Sequence, residues 1–377
     1  MRIAVNTRLL LPNRLEGIGW FAYETLRRIS QDHPEHEFIF IFDRKPAREF
    51  IFGDNVKALV AHPQARHPIL WYLFFEFGIY RILRKYQPDL FLSPDGWISL
   101  RSKVKTLTVI HDLNFEAHPE FLPRHIVWYY RYFFPRFAAK ATRIATVSEF
   151  TKRDISTRYH IPMSRIDVVY NGANEAFKPL SEVEIAAVRE RYANGHPYFL
   201  FVGLIHPRKN LENQLRAFDL FKTQQPSAIK FLVVGAKHWW SDGLDDVVKN
   251  ATHRDDIIFL GRRDMPTLIS LYGAAHALSY VSHFEGFGIP ILEAMHAEIP
   301  VITSTTSSMP EVCGKAGLTV NPNSVEEIAK AMISLTTDHS LRNLLIANGR
   351  IQRKAFSWSL SAKALWQSIE KTLNQPE

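Results

Sequence analysis

Short runs rich in valine, isoleucine and phenylalanine alternate along the chain with longer stretches of helical period. The runs predict strands at residues 2–7, 37–43, 89–93, 105–111, 143–147 and 167–170. They resume at 198–204, 230–234, 257–260, 277–281, 301–303 and 317–320. Many are continuously apolar rather than alternating, which suits strands buried on both faces of a parallel sheet. Helical patterns lie between them, for example at 20–30, 123–139, 211–221 and 325–336. Strand and helix in alternation, twice over, predict two doubly wound α/β domains. The polar, helix-forming stretch 179–195, ending in Asn194-Gly195-His196-Pro197, is expected to be the linker region. An amphipathic final segment, 357–373, can close on either domain.

The length of 377 residues also favours two domains. With Cys313 as the single cysteine, the chain can form neither an internal disulfide nor a cysteine zinc site, and a reducing compartment is expected. The start, Met1 to Asn6, reads as a first strand rather than a secretion signal. No run reaches the about 18 apolar residues of a membrane span; the nearest, 69–83, carries Glu76 and Arg81. The net charge of +8 is lopsided, because residues 1–180 hold 26 Lys and Arg against 18 Asp and Glu, and the rest balances. That half also holds 30 of the 47 aromatic residues, concentrated at 71–85 and 128–143. Basic and aromatic residues on helices suit an anionic membrane surface, nucleic acid, or a bulky core with a solvated face.

Four segments carry candidate chemistry. Gly17-Ile18-Gly19 follows the first strand, where paired glycines let backbone N–H groups approach an anion. His111 stands at the carboxyl end of a strand, where ligands sit in open α/β sheets. Arg208 and Lys209 lie beside a helix start, a locally unfavourable place for cations that a bound diphosphate would explain. In Ser282-His283-Phe284-Glu285-Gly286-Phe287-Gly288-Ile289-Pro290-Ile291-Leu292-Glu293, two carboxylates stand eight residues apart around a glycine-rich turn. The amides of Phe287, Gly288 and Ile289 are expected to face out of that turn toward a phosphate or sugar oxygen.

At these residues the sequence resembles the retaining glycosyltransferases of family 4, and its wording is nearest to bacterial mannosyltransferases of polysaccharide and O-antigen assembly. The resemblance rests on Glu285 and Glu293 within Glu-Gly-Phe-Gly-Ile-Pro-Ile-Leu-Glu-Ala-Met. Supporting stretches, in family order, are Gly-Ile-Gly at 17–19, Ile-His-Asp-Leu at 110–113, Thr-Val-Ser-Glu-Phe-Thr at 146–151, Val-Tyr-Asn-Gly at 169–172, Pro-Arg-Lys-Asn at 207–210 and Ser-Ser-Met-Pro-Glu-Val at 307–312. The fold implied is α/β of GT-B type: two Rossmann-like doubly wound parallel-sheet domains facing a cleft. The amino-terminal, acceptor-binding domain is expected over 1–178 with 357–377, and the nucleotide-sugar-binding domain over 179–356.

The resemblance also implies roles. Arg208 and Lys209 would neutralise the donor diphosphate. Many relatives carry a lysine five residues after the arginine, where this chain has Asn213. Glu285 would face the donor sugar, Glu293 would bind the ribose hydroxyls, and Gly17 and Gly19 would belong to a loop closing over the diphosphate. His111 would lie near the transferred sugar, and Arg263, in Gly261-Arg262-Arg263, near the nucleobase. The donor expected is GDP-mannose, with UDP-glucose or a related UDP-sugar as the alternative. No metal is expected, since the chain contains no Asp-x-Asp. The acceptor would be a saccharide or lipid-linked saccharide, met at the cytoplasmic face of the membrane through a peripheral contact of the first domain. No nucleic-acid partner is expected. The rival of another class is a non-catalytic two-domain sugar-binding protein. A Rossmann oxidoreductase lacks support, because Gly17-Ile18-Gly19 is followed by Trp20-Phe21-Ala22 rather than a third glycine.

Overall fold

The computed structural model describes residues 1–12, 15–236 and 242–375. The chain forms two compact units, Met1–Gly172 with Ser357–Glu377, and Ala173–Phe356. In the first, seven strands make one sheet: β1 (Arg2–Asn6), β2 (Glu37–Phe42), β3 (Val56–Val60), β4 (Leu90–Ser93), β5 (Thr106–Ile110), β6 (Arg143–Thr146) and β7 (Ile166–Val168), in the order β3-β2-β1-β4-β5-β6-β7. In the second, β8 (Tyr198–Val202), β9 (Lys230–Val234), β10 (Ile257–Gly261), β11 (Ala277–Tyr280), β12 (Val301–Ser304) and β13 (Gly317–Val320) run β10-β9-β8-β11-β12-β13. The described pairings are all parallel. Both sheets therefore have the doubly wound Rossmann order, with switch points between β1 and β4 and between β8 and β11. The continuously apolar runs are the central strands: Phe38 to Phe42 and Tyr198 to Phe201 are all fully buried.

The edge strand β3 is the element the apolar-run criterion does not find. Only Val56 is fully buried along Val-Lys-Ala-Leu-Val; Ala58 and Leu59 are partly covered, and Lys57 and Val60 are exposed. An edge needs only one covered face, so the run is broken.

Two expectations are corrected. The stretch 179–195 is not a linker. It contains the helix Glu182–Ala193, closed by a capping box in which Ser181 and Glu184 bond each other's backbone. That helix belongs to the second unit, where Arg189 Nε donates to the carbonyl of Ala274 at 3.1 Å. The division between units falls at Gly172 and Ala173, earlier than 178. Gly17 and Gly19 are also not in a loop ahead of a helix; they are the first and third residues of the helix Gly17–Asp32. Glu16 caps that helix without a side-chain bond, and Gly19 is buried against the carbonyl of Leu9. The signal that reads as a turn is thus a first helical turn held tightly on the preceding chain.

The final helix, Trp358–Asn374, packs on the first unit. Its Ser357 cap is placed by Gly172, whose missing side chain leaves room for the Trp358 backbone. Ser368 and Lys371 bond Asp167, at 2.7 and 2.9 Å, and Lys105 Nζ caps the carbonyls of Leu373 and Gln375 at 2.7 Å. Among the described residues no helix is long and apolar enough to cross a membrane. The run 69–83 is instead split over the helix Pro68–Leu73, the π-helix Phe74–Ile79 and the helix Tyr80–Tyr86.

Candidate active site

The switch point of the second sheet brings together the carboxyl ends of β8 and β11, and the two charged motifs follow those strands. After β8, Gly203 takes φ +152, and the aliphatic chain of Lys209 lies 3.4 Å from where a Cβ would stand. The short 3-10 turn Pro207–Lys209 then presents both cations to the segment after β11. Arg208 Nη1 donates to Glu285 Oε2 at 2.6 Å and to the Phe284 carbonyl at 2.8 Å. Lys209 Nζ lies 2.6 Å from Glu285 Oε1, and it donates to the Tyr280 hydroxyl at 2.7 Å. Glu285 thus holds one cation on each oxygen.

The electrostatics follow. Burial alone would raise the Glu285 carboxyl; the charges of Arg208 and Lys209 overcome it and bring its pKa down to about 2. The group is ionised across the physiological range. Burial, and then the adjacent Glu285 charge, push the Tyr280 phenol well above its ordinary value, so its hydroxyl stays protonated. Glu293 lies one turn into the helix Ile289–His296, whose start is set by Gly288 at φ +108. Its Oε2 accepts from the Tyr272 hydroxyl at 2.6 Å. Burial outweighs that bond and the Lys209 charge, and raises the Glu293 pKa to about 7. Two carboxylates eight residues apart therefore differ sharply in protonation, because only one of them touches cations.

A buried polar frame holds this arrangement. Gln214, fully buried on the helix Leu211–Gln224, donates to the carbonyls of Lys209 and Asn210 at 2.9 and 3.0 Å. Its Oε1 accepts from Ser279 Oγ at 2.8 Å. Asn210, in left-handed backbone, donates to the carbonyls of Val281 and Pro322 at 3.0 and 2.7 Å. Ser308 Oγ donates to the carbonyls of Glu285 and Phe287, both at 2.9 Å, and Ser307 Oγ accepts from the Glu285 amide at 3.1 Å. The glycine-rich turn is thereby held at three backbone atoms.

The structure therefore gathers Arg208, Lys209, Glu285, Glu293, Phe287, Gly288 and Ile289 around the β8/β11 switch point. Phe287 is buried against Phe356, with ring centroids 5.6 Å apart, so only its backbone is offered to a ligand. Arg263 is elsewhere: it is exposed after β10, two strands from β8, with no bond to the cluster among the described residues. His111 belongs to the first unit, at the carboxyl end of β5. Its Nε2 lies 2.8 Å from the Pro94 carbonyl, which can only accept. Nε2 therefore carries the proton, and burial, against Pro94, Asp112 and Asp95, lowers the ring's pKa. On the neutral ring Nδ1 is then an acceptor. Gly17 and Gly19 are in the same unit.

Residue-type reasoning did not find Tyr280, Tyr272 or Gln214. Each sits inside a strand or helix and reads as core. Asn210 and Ser307-Ser308 stand in motifs that were legible, without their role as backbone ties.

Two family models match the chain, Glycosyltransferase Family 4 over residues 15–177 and Glycosyl transferases group 1 over residues 184–352. O-antigen chain mannosyltransferase B of Escherichia coli is 32% identical over 277 residues, covering 73% of this chain and 72% of the relative. The chain belongs to the group 1, family 4 glycosyltransferases. This glycosyltransferase is also 26% identical, over 71% of each chain, to O-antigen chain mannosyltransferase RfbU of Salmonella typhimurium. Among solved structures, Anabaena HepE in complex with UDP-glucose matches with a TM-score of 0.75 at 15% identity, over 98% of this chain and 100% of that one. That likeness places the two parallel-sheet units of the glycosyltransferase in the GT-B fold.

Proposed function

We propose that this glycosyltransferase is a retaining, metal-independent hexosyltransferase. It moves mannose from GDP-mannose to a saccharide or lipid-linked saccharide in cell-surface polysaccharide or lipopolysaccharide synthesis. The observation that carries this reading is the hold of Arg208 and Lys209 on the two oxygens of Glu285 at a Rossmann switch point. Two cationic side chains are positioned there, and preorganised charge is normally the largest contribution to stabilising a leaving diphosphate. The mannose assignment is supported by the two O-antigen mannosyltransferase relatives. The UDP-sugar alternative is kept beside it, since HepE is a neighbour in fold whose complex holds UDP-glucose.

In this reading the bond from the anomeric carbon to the β-phosphate oxygen breaks as the acceptor oxygen bonds on the same face. The acceptor's proton passes to the leaving phosphate oxygen. Arg208 and Lys209 take the developing charge, with the amides of Phe287, Gly288 and Ile289. Glu285, held ionised, is neither proton donor nor nucleophile; it orients the cations and accepts bonds from sugar hydroxyls. Glu293 accepts bonds from the ribose hydroxyls, Arg263 lies toward the base, and Gly17 and Gly19 approach the diphosphate. His111 offers Nδ1 to the transferred sugar.

The test is a donor panel on purified protein, read by thermal shift and by product analysis. GDP should raise the melting temperature more than UDP, and GDP-mannose should give an α-linked product in the presence of EDTA. A β-linked product, or activity abolished by EDTA and restored by Mg2+, would overturn the retaining or metal-independent part.

A peripheral membrane contact on the cytoplasmic side is part of the same reading, and a surface feature favours it. The helix Arg124–Lys140 buries Tyr129, Phe134 and Phe137 around Trp97, yet leaves Trp128 67% exposed and stacked on Tyr132. Tyr132 contacts Phe133, which contacts Tyr72 and through it Phe77, with Arg136 and Arg101 over the rings. Amphipathic rings beside cations suit an anionic interface. Trp128→Ala with Tyr132→Ala should abolish sedimentation with phosphatidylglycerol vesicles at low salt. Equal sedimentation of this variant and the parent would remove the contact.

A further inference from the structure

A second constellation of ligating side chains lies at the opposite end of the first sheet. The helix Gly17–Asp32 ends at His33, and β2 begins at Glu37, so His33-Pro34-Glu35-His36 is the whole connection. His33 Nδ1 stands 3.4 Å from Glu35 Oε1, and His36 Nε2 stands 3.3 Å from the same oxygen. The three ligand atoms all lie within 4.8 Å of one another. Zinc bonds nitrogen and oxygen at about 2.0–2.1 Å, so neighbouring ligands on a tetrahedron around it stand roughly 3.3–3.4 Å apart. Two edges of such a tetrahedron are already present.

The connection is also built to stay in place. Asn55 Nδ2 donates to the carbonyls of Ser30, His33 and His36, at 2.9, 3.2 and 3.2 Å. The His36 amide closes on the His33 carbonyl at 3.2 Å. Both imidazoles lie nearly parallel to the Trp366 indole of the final helix: His33 at 3.6 Å and 17°, His36 at 5.4 Å and 19°. The rings are 3° from parallel to each other. Their orientation is thus fixed by packing rather than by a ligand, which lowers the ordering cost of binding one. The side chains remain accessible, at 26%, 16% and 58% exposure for His33, His36 and Glu35.

We propose that His33, Glu35 and His36 bind one divalent transition-metal ion of the zinc type, with water completing the shell. Two imidazoles and one carboxylate are a borderline donor set, suited to zinc, cobalt or nickel rather than to magnesium or calcium. The site stands at the amino end of β2, whereas ligands of an open α/β sheet bind at the carboxyl ends. The ion is therefore structural. It pins the end of the helix Gly17–Asp32 to β2, under Trp366 of the helix that follows the second unit. It takes no part in the transfer reaction, so the proposal stands or falls apart from the proposed donor chemistry.

The experiment uses the full chain without an affinity tag, because the Met1 amine lies 3.4 Å from His36 Nδ1. After treatment with EDTA and its removal, Zn2+ is titrated by calorimetry and Co2+ by absorption. The expected result is one ion per chain, the strong visible bands of four-coordinate cobalt, and a chelator-reversible rise of a few degrees in melting temperature. Co2+ should also quench part of the tryptophan emission through Trp366, and that quench should disappear in Trp366→Phe while binding persists. His33→Ala with His36→Ala should bind at least tenfold more weakly, and the exposed control His339→Ala should bind as the parent does. If the double variant does not fold, Glu35→Gln, at the most exposed of the three side chains, serves with the same expected weakening. Binding unchanged in the double variant or in Glu35→Gln, or no stoichiometric binding by the parent, would overturn the proposal.

Discussion

The Tyr280 hydroxyl accepts a 2.7 Å hydrogen bond from Lys209 Nζ, and the same ammonium stands 4.7 Å from the Tyr280 ring centroid. One residue at the end of β11 thus fixes the cation through its oxygen. Tyr280→Phe removes that hold and keeps the ring. A hydrogen bond to a charged group contributes about 1.5–3 kcal/mol, so kcat/KM should fall tenfold or more while the ring keeps the fold intact. Turnover equal to the parent would separate Tyr280 from the site.

Glu285 competes with any diphosphate for Arg208 and Lys209. Glu285→Gln releases both cations, so turnover should fall by at least a hundredfold while affinity for the nucleoside diphosphate holds or rises. Arg208→Ala should lower both together. Both variants therefore lose turnover but only Arg208→Ala loses diphosphate binding, a difference measurable by calorimetry beside steady-state rates. Parallel loss of diphosphate binding in both would argue that Glu285 holds the loop together rather than serving the sugar.

The pattern of strands was legible because central parallel strands must be apolar on both faces, and Phe38 to Phe42 or Tyr198 to Phe201 can be nothing else. The edge strand β3 lacked that constraint and went unread. The site was legible where chemistry departs from its surroundings: Arg208 and Lys209 beside a helix start, Glu285 among glycines. It was illegible where chemistry hides in the core. Gln214 and Tyr280 occupy inward positions that leucine or phenylalanine would also fill, and only the third dimension shows that their polar atoms face the loops. Gly17 and Gly19 misled for the opposite reason: glycine signals a turn, yet here it begins a helix pressed on Leu9.

Gln214 itself is open to test. Gln214→Leu preserves size but removes the side-chain bonds to the Ser279 hydroxyl and the Lys209 carbonyl in a buried setting, while the Asn210 carbonyl keeps the Gln214 amide. Each unpaired buried group costs about 1–3 kcal/mol, and for a unit of this size each kcal/mol moves the melting point roughly 2–4 °C. Two such groups cost about 2–6 kcal/mol, so a fall of about 4 °C or more is expected, with a rise in donor KM because the Arg208-Lys209 turn loses its anchor. A melting point within about 1 °C of the parent, on that same scale, would show that the frame is not needed.

Glu293 makes stability depend on pH in a direction opposite to Glu285. Its pKa is near 7 in the folded protein, against an ordinary value of 4.5. The folded state therefore holds this proton more tightly than the unfolded chain does. The associated stability is complete below pH 4.5 and is lost as pH rises through 7. For Glu285, depressed to about 2, the contribution is present above 4.5 and lost as pH falls toward 2. Glu293→Gln mimics the protonated form and should remove the decline between pH 4.5 and 7, leaving the acid limb unchanged. Denaturation midpoints of parent and variant should thus coincide most nearly near pH 4.5 and diverge toward pH 7.5, the variant being the more stable. Donor binding should run the other way, strengthening in the parent as Glu293 ionises to accept ribose hydroxyls and staying flat in Glu293→Gln. A parent whose donor affinity weakens as pH rises from 6 to 8 would leave Glu293 as a buried acid bonded to Tyr272, with no part in holding the nucleotide.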